Sequence, residues 1–248
     1  MEMTAVNNEE TIVTVGQLVA DDYRKAEIFK KFGIDFCCGG SVSVNEICKK
    51  KGVAIEDLEK AFAELDTQQK SASQNYNTWE LDFLVDYIVN THHKYVASAL
   101  PLLDEFSAKV ARVHGEHHPE VIEIYHHYQA VANELRSHMQ KEEMILFPYI
   151  KQMVIAKRNG EIVTQPHFGS IRNPINMMEN EHESAGDSLK EVDKLSNNYT
   201  PPAEACNTFR VLYAKLQEFE NDLHQHIHLE NNILFPKAIA MEEELFSK

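Results

Sequence analysis

The chain has 248 residues, 43% of them hydrophobic, and a formal net charge of -15. That length accommodates one large domain beside a small one, and the acidic balance argues against a nucleic-acid-binding surface. No apolar run approaches the roughly 20 residues that span a membrane, and the acidic stretch from Met1 to Glu10 is unlike an export signal, so a cytoplasmic protein with no membrane contact is expected.

In chain order, the first part reads as short helices: Val15 to Phe32 stopped by Gly33, Val44 to Lys51 stopped by Gly52, and Glu56 to Leu65. Between the first two lies Asp35-Phe36-Cys37-Cys38-Gly39-Gly40. Adjacent cysteines followed by glycines suggest an exposed, backbone-permissive turn on which thiols can meet a partner. A helix-ending loop with incidental thiols is the plainer alternative, and the residues alone do not separate the two. Cys37, Cys38, Cys48 and Cys206 form no secreted disulfide framework. Neighbouring cysteines bridge only with distortion, and Cys48 and Cys206, in helical patterns, read as packing residues. Residues 67–78 begin with a polar, aperiodic run and read as a linker. This leaves a small helical domain over 1–66 and a larger one over 79–248.

The larger domain is predicted to hold helices over about 79–111, 119–157, 174–197 and 202–245. Its second and fourth helices carry one motif twice: His138-x3-Glu142-x2-Ile145-Leu146-Phe147-Pro148 and His226-x3-Glu230-x2-Ile233-Leu234-Phe235-Pro236. Residues four apart share a helix face, roughly 6 Å apart along the axis. Both motifs continue apolar seams of bundle type, Val121-Ile124-Tyr128-Val131-Leu135 and Phe209-Leu212-Leu216-Phe219-Leu223. The carboxylates therefore point inward, where an uncompensated charge costs several kcal/mol. One buried His–Glu ion pair would be a sufficient explanation for a single motif; two copies with the same flank point to a shared metal ligand. Pro148 and Pro236 should kink their helices or end the ligand-bearing segments.

The repeat extends upstream, since His93 precedes His138 by 45 residues and His182 precedes His226 by 44. Paired helical hairpins of this kind make an all-α four-helix bundle. His182 lies on an inward seam, whereas periodicity does not choose between His92 and His93. Four imidazoles and two carboxylates suit a dinuclear site in which each Glu bridges both ions. Such a ligand set favours iron, manganese or zinc over copper(I) or an iron-sulfur cluster, and vacant positions on an iron pair can bind oxygen, peroxide or nitric oxide. His-x3-Glu also differs from the Glu-x-x-His of ferritin-like bundles, which favours a hemerythrin-like one. His126, His127, His224 and His228 flank the seams and are expected to be solvated or to support ligands, and His167 to be exposed.

Glu134-Leu135-x2-His138-Met139-x-Lys141-Glu142-Glu143, Glu181-His182-Glu183-x-Ala185-Gly186, Leu229-Glu230-Asn231-Asn232 and the Asp35-to-Gly40 motif together resemble the iron-sulfur cluster repair di-iron proteins, the RIC family of ScdA/YtfE type. The resemblance covers essentially the whole chain. It implies a hemerythrin-like bundle holding two carboxylate-bridged iron ions on His93, His138, Glu142, His182, His226 and Glu230. His93 takes precedence over His92 by its distance to Leu100-Pro101. His114, about 30 Å of helix beyond His93, is left out. The implied function is repair of clusters damaged by oxidative or nitrosative stress through iron donation, with Cys37 and Cys38 as the reactive thiols and damaged iron-sulfur proteins as clients. Glu134 and Glu181 would orient ligands or line an iron route. Two other classes stay open: a nitric oxide reductase, and an oxygen or nitric oxide carrier or sensor. The sequence also leaves open a homodimer.

Overall fold

The computed structural model describes residues 13–67 and 75–247, and the chain divides into two compact units with the break between Asn75 and Tyr76. The first unit holds α1 (Val15–Asp21), α2 (Lys25–Lys31), α3 (Val44–Lys51) and α4 (Ile55–Thr67). Thr14 and Gln17 cap α1 reciprocally, and Gly52, at φ 68°, ends α3 in the left-handed conformation that a side chain would strain. The single helix expected over Val15 to Phe32 is two helices. Asp22 leaves the helical region, and its carboxylate accepts hydrogen bonds from the Arg24 backbone N–H at 3.1 Å and from Arg24 Nε at 2.9 Å. This local Asx-type bonding competes with the helix ladder.

The second unit opens with a 3-10 turn, Tyr76–Thr78, inside the stretch expected to be linker. Tyr76 is buried, packs on Trp79, and its hydroxyl accepts from Gln225 Nε2 at 2.9 Å, a tie across 149 residues of chain that no local pattern announces. Four long helical paths follow. The first is α5 (Leu81–Ile88), a π turn (Val89–His93) and α6 (Lys94–His114); the second is α7 (Glu120–Lys141), a π turn (Glu142–Leu146) and α8 (Phe147–Asn159). The third is the uninterrupted α9 (Arg172–Leu195), and the fourth is α10 (Asn207–Leu229), a π turn (Glu230–Leu234) and α11 (Phe235–Phe246). α6 packs on α7 while α5 packs on α8, so the first two paths run antiparallel; α7 also packs on α9, and α10 on α6.

Each π turn inserts a residue into the helix at a sequence-predicted ligand position. The N–H groups of Lys94, Phe147 and Phe235 each reach back five residues, to the carbonyls of Val89, Glu142 and Glu230. The prolines then fall in the first turn of α8 and α11, where a missing N–H is tolerated. The α segments bearing His138 and His226 thus end before the prolines, and the helical path continues beyond them. The insertion also shifts the seam. Ile145, expected inside, is 40% exposed, and Leu146 takes its place in the core. Below the ligand level the bundle is filled by Leu100, Leu103, Tyr128, Val131, Leu216 and Phe219, among others. On the other side Leu84, Ile88, Ile150, Met153, Ile175 and Phe235 are buried. No helix among the described residues is long and apolar enough to cross a membrane.

Candidate metal centre

The turn carrying the cysteines is tied down more tightly than its glycines suggest. Asp35 Oδ1 accepts the backbone N–H groups of Cys37, Cys38 and Gly39 at 3.1, 3.0 and 3.2 Å, and the Cys37 thiol at 3.3 Å. A side chain on Gly39 would meet the Asp35 carbonyl oxygen at 2.8 Å, so this close approach requires glycine. Contrary to the expectation of two exposed thiols, Cys37 is buried and Cys38 half-buried, with their sulfurs 4.0 Å apart. The hydrogen bond that Cys37 donates to Cys38, together with burial, pushes the Cys37 thiol well above its ordinary range. Cys48 is buried as expected, whereas Cys206, expected to pack, is exposed at the residue preceding α10.

In the bundle, the structure brings together His93, Glu142, His226 and Glu230 in one group and His138, Glu142, His182 and Glu230 in another, with both carboxylates shared. All six residues are buried. Each His-x3-Glu pair meets across one helical turn: His138 Nε2 lies 3.3 Å from Glu142 Oε2, and His226 Nε2 lies 3.0 Å from Glu230 Oε1. The other two imidazoles reach the same carboxylates from neighbouring helices, His93 Nε2 at 3.3 Å from Glu142 Oε2 and His182 Nε2 at 3.2 Å from Glu230 Oε2. His92, the alternative, belongs to neither group; its Nδ1 faces Asp222 at 3.0 Å.

Three partners aim these imidazoles. His93 Nδ1 donates to Glu143 at 2.7 Å, His138 Nδ1 to Glu181 at 2.8 Å, and His182 Nδ1 to Asn231 at 2.8 Å. Lys141 in turn donates to Glu181. With each Nδ1 engaged outward, the Nε2 atoms face inward, and those of His138 and His182 stand 3.0 Å apart. Glu142 Oε1 and Oε2 and Glu230 Oε2 are also buried without a hydrogen-bond donor among the described residues. Lone pairs converging in a buried volume are what a multivalent cation fits, so the donor set matches a metal centre.

The electrostatics express the same convergence. Burial pulls the His138 imidazole down, but the charges of Glu142 and Glu230 and the hydrogen bond that His138 donates to Glu181 lift it to about 9. His93 is raised against the same burial, chiefly by Glu142. Burial wins at His226 and lowers it. Despite burial, His138 and His93 hold Glu142 below the usual carboxylate range, and His226 and His182 hold Glu230 well below it.

Other sequence candidates fall elsewhere. His114 Nε2 lies 3.3 Å from Cys206 Sγ, outside both groups. Glu134, expected to face inward, is half-buried and accepts from Ser184 Oγ at 3.1 Å. His167 is exposed, and His228 is fully buried rather than solvated, with Nδ1 3.2 Å from Asn232. Glu143 and Asn231 were not singled out by sequence reasoning; each directly follows a shared carboxylate, and that adjacency is the signal that could have found them. A cavity of about 250 Å³ opens beside the centre, lined by Lys141, Leu146, Phe168, Met177 and Met178. Leu146 and Met178 lie one helical turn from Glu142 and His182.

Comparison with known proteins agrees with this geometry. The hemerythrin HHE cation-binding domain matches residues 84–238, and a domain of unknown function, DUF542 (ScdA_N), matches residues 12–66. The chain is 38% identical over 229 residues to the iron-sulfur cluster repair protein YtfE of Musicola paradisiaca, covering 92% of this chain and 97% of that one. It is 35% identical to a probable iron-sulfur cluster repair protein of Haemophilus influenzae, covering 86% and 90%. With YtfE of Yersinia pestis it shares 36% identity, over 92% and 97%. A buried His/Glu cluster inside a matched cation-binding bundle, joined to a matched N-terminal domain, makes this chain a member of the iron-sulfur cluster repair protein family.

Proposed function

We propose that the chain repairs iron-sulfur clusters damaged by oxidative or nitrosative stress, acting in the cytoplasm as an iron donor to damaged iron-sulfur proteins. His93 and His226 would hold one iron ion, His138 and His182 the other, and Glu142 and Glu230 would bridge them. Bound there, the pair would supply releasable iron. The observation that carries this reading is the convergence of the His138 and His182 Nε2 atoms, 3.0 Å apart, on the buried carboxylates of Glu142 and Glu230. The chain's own residues do the rest. Glu143, Glu181 and Asn231 keep the ring protons outward; the apolar layers on either side exclude water. A site without thiolates, bridged by carboxylates, is satisfied yet exchangeable. The half-buried Cys38 is the thiol placed to meet a client, with Cys37 behind it in the N-terminal domain.

The test is iron per chain after purification under low oxygen, followed by reactivation of an inactivated iron-sulfur enzyme by the native chain and by Glu142→Leu. Near two irons per chain, with reactivation lost in the variant, is the expected result. A fully loaded chain that reactivates nothing would sink iron donation. A chain that holds no iron would return the cluster to a pair of buried ion pairs.

A further inference from the structure

The internal repeat breaks its own symmetry at one position. Glu181, the residue before His182, holds His138 Nδ1 through its carboxylate. The equivalent residue before His93 is His92, and it meets His226 through its ring instead, with centroids 5.5 Å and planes 9° apart. From there a file of rings leads outward. His92 meets Tyr87 edge-on at 5.7 Å, Tyr87 meets Trp79 at 5.1 Å, and Trp79 meets Phe83, which is 56% exposed, at 4.9 Å. All these residues belong to the bundle unit.

The composition of the file distinguishes it from other ring contacts at the centre. Phe147 lies against His93 and Phe235 against His182. Phenylalanine is very hard to oxidise, whereas phenol and indole rings lose an electron far more readily. Beyond His226, then, the ring stack leads to oxidisable side chains in contact, Tyr87 and Trp79 with the buried Tyr76 against both, and on to the surface. A packing role accounts for clustered aromatics; it does not account for a stacked imidazole where the other half of the repeat has a carboxylate.

We propose that Tyr87 and Trp79 form a redox relay that carries oxidising equivalents from the metal centre to the surface when the centre meets a hydroperoxide. This rests on the iron-holding reading above. Cleaving a hydroperoxide O–O bond consumes two electrons and two protons and yields an alcohol and water. Where ferrous iron would provide only one electron, Tyr87 gives the other and passes its phenolic proton towards solvent across its hydrogen bond with the Tyr76 hydroxyl, 3.5 Å away. Trp79 then returns an electron to Tyr87, which regains a proton. An external thiol reduces the oxidised indole, and two thiols so oxidised join as a disulfide. The ligand imidazoles and buried carboxylates are thereby spared.

The experiment uses the full iron-loaded chain, poised with one reducing electron per centre, mixed with hydrogen peroxide and freeze-quenched for electron paramagnetic resonance. The chain has a single tryptophan, so ring-deuterated tryptophan labels Trp79 alone. The expected signal is an organic radical whose hyperfine pattern narrows on deuteration and which added thiol quenches. Tyr87→Phe, which keeps the ring packing, should lower its yield at least tenfold. Trp79→Phe should leave a longer-lived tyrosyl signal insensitive to the label. Iron content measured on each sample shows that the centre has assembled. A fully loaded chain giving no organic radical, or one indifferent to the label and to both substitutions, overturns the relay while leaving iron donation standing. A chain that binds no iron overturns both.

Discussion

A single side chain shows how the centre is aimed. Glu181 takes the His138 Nδ1 proton at 2.8 Å and is itself held by Lys141. Glu181→Leu leaves that N–H without its acceptor, and iron affinity should fall roughly ten- to a hundredfold; Glu181→Gln, which still offers an oxygen, should lose much less. Chelator competition measures both, and equal affinity in all three proteins would remove Glu181 from the centre's machinery. At the Cys37–Cys38 pair, pH is the probe. The Cys37 thiol is raised by its hydrogen bond with Cys38 and by burial, so its native form keeps the proton longer than the unfolded one. The resulting contribution to stability is complete below the ordinary thiol range and lost as pH climbs through the raised native value. Since the thiolate is the nucleophile, alkylation at neutral pH should reach the exposed Cys206 and the half-buried Cys38, with Cys37 modified only in strongly alkaline solution; fragment-ion mapping reads the three positions. Early modification of Cys37 would contradict its burial. Four of the six inward residues were legible in sequence because His-x3-Glu on a seam is a local pattern, and His182 lay on a seam of its own; periodicity did not separate His93 from His92, and only the family resemblance did. Of their orienting partners Glu181 was anticipated, but Glu143 and Asn231 were not, because His93 finds Glu143 and His182 finds Asn231 only across helices.

At the scale of the element, the π turns matter most. Met144 is 77% exposed and touches little, yet it lies within the π turn Glu142–Leu146 that keeps α8 in phase with α7. Deleting it takes out the inserted residue, so the turn should close to α geometry with Phe147, Ile150 and Met153 still in the core. Inserting an alanine after Met144 should instead turn everything beyond by about 100° relative to the ligand face, with lost iron and a stability cost of several kcal/mol. Met144→Ala, which keeps the register, should stay within about 0.5 kcal/mol. Thermal unfolding and iron analysis of the three variants separate register from side chain. The periodicity of three and four located every long helix but carried its phase straight through the ligands, which is why Ile145 was expected inside. A π turn has no composition of its own; it forms because inward carboxylates and the flanking core both demand the same face. The break at Asp22 was missed for a related reason, since a side-chain hydrogen bond there overrode an otherwise helical stretch.

For the whole molecule, the division between Asn75 and Tyr76 sets how ligand binding and unfolding are linked. The proposed iron ligands all lie in the second unit. Iron at a hundred times its dissociation constant should stabilise that unit by about 2.7 kcal/mol and leave the melting of the first unit in place, visible by calorimetry as one transition that moves and one that does not. Both transitions moving together would mean that the units unfold as one. The polar run after Leu65 made two domains readable; the place of Tyr76 in the bundle was hidden because its partner, Gln225, lies so far along the chain. The twofold repeat has its own consequence. The two Ile-Leu-Phe-Pro copies are spelled alike, but Ile145 looks onto solvent while Ile233 is 1% exposed. Descendants of a duplicated hairpin would keep their metal ligands in step and let this one letter go separate ways, polar residues accumulating at the first position and aliphatic ones persisting at the second.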